Sequence, residues 1–195
     1  MSIRLAKGIG ITLIAGLLVL VADFALVRRR AAPPDSDTLD YVKHLVWLNN
    51  WADAAERLGR MEARSALPRD EKTTVFCSAV RLRGRVESGR LADVAEQLRA
   101  LLATREAIAD PELRLLVLSA LGDVLFQYDL QGAESIWQQA SRLASERRDS
   151  VWAARADGEL GTIAFLNGHV VRALQLVSSS ALKAEANGDT ASRIR

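Results

Sequence analysis

The sequence predicts an all-α protein in which about four helical hairpins stack behind a single N-terminal transmembrane helix. Three observations lead there. An apolar stretch of twenty residues, Gly8 to Val27, stands near the start of the chain. From residue 38 onward apolar side chains recur at intervals of three and four, the period of a helix face. One segment type then returns four times at a nearly constant spacing, as stacked units do.

Residues 1–7 form a short tail carrying Arg4 and Lys7. The run that follows, residues 8–27, reads GIGITLIAGLLVLVADFALV and holds one charged group, Asp23. At about 1.5 Å per residue it spans about 30 Å, the thickness of bilayer hydrocarbon. Arg28, Arg29 and Arg30 come next, where a cleaved secretory signal would carry small residues, so an uncleaved anchor is favoured over a cleaved signal. Asp23 lies about one turn from the end of the run, near enough to the interface to reach it or to meet Arg28 or Arg29. The expected location is the plasma or inner membrane, crossed once. Basic residues on both flanks leave the orientation open, with a slight lean to a cytoplasmic body.

The anchor also explains the charge. The chain has 26 Lys and Arg against 24 Asp and Glu, but five of the basic groups and one acid fall in the first thirty residues. The remaining 165 residues carry 21 basic and 23 acidic side chains, which is no basic body for nucleic acid. A lone cysteine, Cys77, excludes a disulfide framework and any multi-cysteine zinc site.

Residues 28–37 read as a basic, proline-rich spacer, since Pro33 and Pro34 stop the anchor helix from running on. Residues 38–188 are the expected repeats. Leu67-Pro68-Arg69-Asp70 separates two helices, and Gly89 follows another. Asp110-Pro111-Glu112 supplies an N-cap acid, a first-turn proline and an acid facing the helix dipole, and Asn167-Gly168 and Asn187-Gly188-Asp189 mark later turns. No sustained period-two alternation signals a strand. Residues 189–195 read as the start of a further helix, truncated or covered by a partner.

The recurring segments are Asn49-Asn50-Trp51-Ala52-Asp53-Ala54, Gly89-Arg90-Leu91-Ala92-Asp93-Val94, Asp129-Leu130-Gln131-Gly132-Ala133 and Gly168-His169-Val170-Val171-Arg172-Ala173. Aligned on Ala54, Val94, Ala133 and Ala173 they are spaced by 40, 39 and 40 residues. Small residues let paired helices approach closely, so Gly161 with Ala173 and Gly122 with Ala133 are expected contacts. Leu121, Leu125, Ile136 and Leu143 are expected to fill the space between hairpins, and Trp137 and Trp152 to pack there too.

The fourth unit, with Leu160-Gly161, Gly168 and Ala173, resembles the tetratricopeptide repeat. The third keeps Leu121-Gly122, Ala133 and Ala140; the second keeps Gly89 and Val94-Ala95 but has Arg81-Leu82 in place of Leu-Gly; the first keeps Trp51 and Ala54. The resemblance implies an all-α, right-handed solenoid of about four TPR-like hairpins, each longer than the usual ~34 residues. It also implies a concave face lined by the first helix of each hairpin, where a protein or peptide partner binds. On that registration the partner-binding residues are Lys43, Trp47, Arg83, Asp123, Phe126, Thr162 and Phe165. Phe126 and Phe165 also fit a core role, and Trp47 also fits a cap on the first hairpin against Trp51.

No phosphate-binding loop, nucleophile elbow or metalloprotease motif occurs. His44 and His169 stand far apart, Cys77 sits in an apolar stretch, and the runs Arg81 to Arg85 and Glu146 to Asp149 read as solvated helix faces. Arg81 to Arg85 also offers an anionic ligand a site. No catalytic residue, metal or cofactor is expected. The expected function is a membrane-anchored protein–protein interaction scaffold, binding through its concave face or its C-terminal end. The alternative is the sensory or regulatory N-terminal region of a larger signalling or protease-like enzyme, by analogy with bacterial proteins of this layout.

Overall fold

The computed structural model describes residues 37–84, 86 and 90–189, and residues 37–195 form a unit of their own. The described residues hold nine helices and no strand: α1 Leu39–Trp47, α2 Trp51–Ala63, α3 Glu71–Gly84, α4 Leu91–Leu102, α5 Arg105–Ala109, α6 Pro111–Leu125, α7 Leu130–Glu146, α8 Ser150–Leu166 and α9 Val170–Ala186. None of them is long and apolar enough to cross a membrane. The expected anchor at 8–27, the spacer up to residue 36, the Gly89 turn and residues 190–195 lie outside the described residues.

Most of the helices start where a short polar side chain satisfies one or two of the first free N–H groups. Thr38 accepts from Tyr41 N at 3.3 Å, Asp70 from Thr73 N at 2.8 Å, and Asp110 from Glu112 N and Leu113 N at 3.1 and 3.2 Å. Asp129 and Asp149 do the same for Gly132 N and Trp152 N at 2.9 and 3.0 Å. Five helices end alike, with Asn49, Ser65, Arg148, Gly168 or Gly188 at positive φ. The residue after each donates its N–H back to a carbonyl five positions earlier, as Asn50 does to Leu45, Asp149 to Ala144 and His169 to Ala164. Asn50, Asp149 and His169 each also stand at the N-cap position of the next helix, Asp149 with a side-chain bond, so one residue closes a helix and opens its successor. Of the run Glu146 to Asp149, Glu146 therefore ends α7 and the other three residues form the turn to α8 rather than a helix face.

The predicted period is visible in the packing. Ala54, Val94, Ala133 and Ala173 stand in the second helices α2, α4, α7 and α9, where the three alanines are buried and Val94 half-buried. Within hairpins α1 packs on α2, α3 on α4, α6 on α7 and α8 on α9; between them α2 meets α3, α4 meets α6 and α7 meets α8. The extra short helix α5 sits between α4 and α6, touching α3, α4 and α6. One apolar core runs from Val42 to Ile163, including Leu121 and Leu125, with Ile136 and Leu143 packed against it.

The glycines of the Leu-Gly pairs do admit close approach, though to other partners than the sequence suggested. A Cβ on Gly122 would stand 2.5 Å from Trp137 Nε1, and one on Gly161 2.7 Å from Val177 Cγ2, a turn beyond Ala133 and Ala173. Polar groups pin the same hairpin, where Ser179 Oγ donates to Asp157 at 2.8 Å and Lys183 Nζ lies 2.5 Å from the same carboxylate.

The fold departs from a solenoid whose units touch only their neighbours. Trp47 of α1 meets Trp152 of α8 edge to face at 5.4 Å, and its indole N–H donates to Asp189 at 3.2 Å, so the first hairpin rests on the fourth. Trp47 thus pairs with Trp152 and not with Trp51, which is buried with its indole N–H on Asn49 at 2.6 Å.

Candidate functional site

Where α1 crosses toward α8, it closes a cleft of about 270 Å³ against the N-terminal ends of α3, α6 and α8. Val46, Phe76, Leu113 and Leu116 give it apolar walls, and Trp47 and Trp152 stand at one side. Its charges come from four elements: Lys43 of α1, Lys72 of α3, Asp110 and Glu112 at the start of α6, and Arg155 of α8.

Arg155 is the least expected of these. Its side chain is only 3% exposed, and its guanidinium lies 5.3 Å from the Trp47 ring and 5.4 Å from the Trp152 ring. Electron-rich ring faces offset part of the hydration a cation loses on burial. Lys72 Nζ sits 3.0 Å from Asp110 Oδ2 and links α3 to the cap of α6. Burial works against the Asp110 carboxylate, but the Leu113 and Glu112 N–H groups and the Lys72 ammonium hold its pKa below the ordinary aspartate value. Lys43 is largely exposed at the mouth, 3.7 Å from Asp40 on its own helix. The cleft therefore offers apolar surface with mixed charge around it, and Lys43, exposed at its mouth, suits a segment that sets a carboxylate beside an apolar side chain.

The seven residues expected on the concave face divide into groups. Lys43 and Trp47 line the cleft. Arg83 and Asp123 pair with each other at 3.6 Å at the opposite ends of α3 and α6, both largely buried. Phe126, the residue that ends α6, packs against the core. Thr162 is exposed, its hydroxyl donating to Gly158 O at 3.1 Å, and Phe165 is 62% exposed away from the cleft. Arg155 escaped the sequence reading; its signal was the three-residue spacing from Trp152, which puts both on one helix face.

Of the run Arg81 to Arg85, the last residue lies outside the described ones; Arg81 to Gly84 are half-buried rather than a solvated face, with Arg81 donating to Glu62 at 2.8 Å and the Arg83 guanidinium 3.6 Å from Asp123. Cys77 is buried at the edge of a second, polar cleft of about 390 Å³ formed by α2, α3 and their connection. Burial pushes its thiol pKa up, opposite to what a nucleophile needs. Trp152, half-buried, packs between hairpins as expected, against Trp47, whereas Trp137 is fully buried within its own hairpin, against Gly122, rather than between hairpins. Among the described residues no group of three or more His, Cys, Asp or Glu side chains gathers to hold a metal. Comparison of the chain with protein-family models, with curated proteins and with solved structures finds no match.

Proposed function

We propose that this chain is a membrane-anchored, single-pass interaction scaffold. Residues 8–27 hold it in the plasma or inner membrane, and the TPR-like hairpins of residues 38–188 bind a protein partner without transforming it. The anchor reading rests on the length of the apolar run and on the arginines behind it. Alkaline extraction checks it. Full-length protein is expected to stay with the membranes while a version beginning at Asp35 is released, and full-length protein in the soluble fraction would refute it.

The partner reading rests on one observation, the cleft that α1 closes over the ends of α3, α6 and α8, with two indoles, five aliphatic or phenyl groups and Lys43 at its mouth. The segment that fits is a peptide placing an apolar side chain inside and an acidic residue beside Lys43. Lys43→Glu alters an exposed side chain and is expected to leave the helical melting curve in place. It should cut partner capture from detergent-solubilised membranes roughly tenfold, the effect of about 1.4 kcal/mol. Undiminished capture by a folded Lys43→Glu variant would move the binding face elsewhere.

A further inference from the structure

Helix α9 buries one face on α8 through Ala173, Ser180 and Ala184. Beside that face a flank is tied down by charge, with Arg172 3.3 Å from Glu134 of α7 and Lys183 on Asp157 of α8. The opposite flank, by the 100° step of the helix, carries Val170, Val171, Leu174, Val177 and Leu182. Phe165 and Leu166 at the end of α8 extend it, and these seven side chains are 49–72% exposed.

Side chains of this size at these exposures leave on the order of 700 Å² of apolar surface in water. The largest patch on an ordinary monomer is about 300–600 Å², whereas each partner in a stable complex contributes about 800 Å². The area is that of one side of a dimer.

We propose that a second copy of the chain covers this face, α9 lying antiparallel on α9 about a two-fold axis near Val177. A two-fold axis requires a surface that complements itself, and the charges meet that condition. Of the three charged residues of α9, Arg172, Lys183 and Glu185, only Glu185 falls on the apolar flank. A parallel pairing would set two carboxylates side by side. The antiparallel one separates them and brings each to the first turn of the opposing α9, where free N–H groups and the helix dipole favour an anion. This inference does not require the cleft to bind anything.

The experiment measures the mass of the full-length chain in detergent by light scattering and pairs it with cysteine cross-linking. Wild-type chain should be dimeric. Val171→Asp with Leu174→Asp should halve the mass while the helical signal and melting curve persist, since both positions are exposed. Ser178→Cys, exposed beside the axis, should form a disulfide-linked dimer under mild oxidation. Ser145→Cys on α7, together with wild-type chain whose Cys77 is buried, should not. A monomeric wild-type chain overturns the proposal, whether the face is then open, covered by residues beyond 189 or reserved for another protein. A dimer that survives the double substitution, or equal cross-linking at 145 and 178, overturns it as well. Should the double variant lose its helical signal, the contrast between positions 178 and 145 decides alone.

Discussion

Trp137→Ala is expected to be the most damaging single truncation in the helical unit, lowering stability by about 3–5 kcal/mol. The indole is fully buried between α6 and α7, and its Nε1 edge sits over Gly122, where even a methyl group would collide at 2.5 Å. Removing it opens a void lined by two helix backbones that the capped turns at either end keep apart. Against a total of about 5–15 kcal/mol the loss is a large fraction. At about 2–4 °C per kcal/mol for a domain of this size, melting should fall by roughly 10 °C. Trp137→Phe should lose less, because it also deletes an indole N–H that is buried without an acceptor. Circular-dichroism melts of the two variants check this, and a Trp137→Ala variant within about 1 kcal/mol of wild type would show that the hairpin collapses around the gap.

Gly84→Ala is the second. Alanine ordinarily gains up to about 1 kcal/mol over glycine inside a helix. Here its Cβ would stand 2.3 Å from the Trp51 carbonyl oxygen and 2.6 Å from the Ala55 Cβ. Both atoms belong to α2 at positions that rotamer changes do not relieve, so α3 has to move away from α2. Overpacking of this kind costs about 1–3 kcal/mol or more, and contact with rigid backbone puts the cost at the upper end. Net destabilisation of about 2 kcal/mol is expected, measured by urea unfolding. A gain in stability would mean that the two helices are not held at this distance.

Much of the helical frame was legible in the residues. Asp110-Pro111 announced a helix start, Asn167-Gly168 and Asn187-Gly188 announced turns, and the period of about forty placed Ala54, Ala133 and Ala173 in corresponding second helices. Those signals are local, since a cap joins groups at most about five positions apart. Where local signals were ambiguous the reading slipped. Arg148 takes positive φ although nothing in its side chain favours it, so its turn passed as a helix face. Gly84 was overlooked because its demand comes from α2, about thirty residues earlier.

The candidate site was less legible. Lys43 and Trp47 were placed on the binding face, but only α1 resting on α8 makes them walls of a cleft with Arg155. Arg83 and Asp123, singled out for a partner, face each other as a largely buried ion pair. Each small rotation between hairpins follows from side chains spread over three helices, and their sum decides which distant helices meet. The helical character of the chain, several of its helix starts and ends and the hairpin period could be read from the residues, because hydrogen bonds between near neighbours carry that information. That the first hairpin closes on the fourth, that Arg155 lies between two indoles and that one flank of α9 stays apolar and exposed emerged with the packed stack alone, because those are sums over all of its helices.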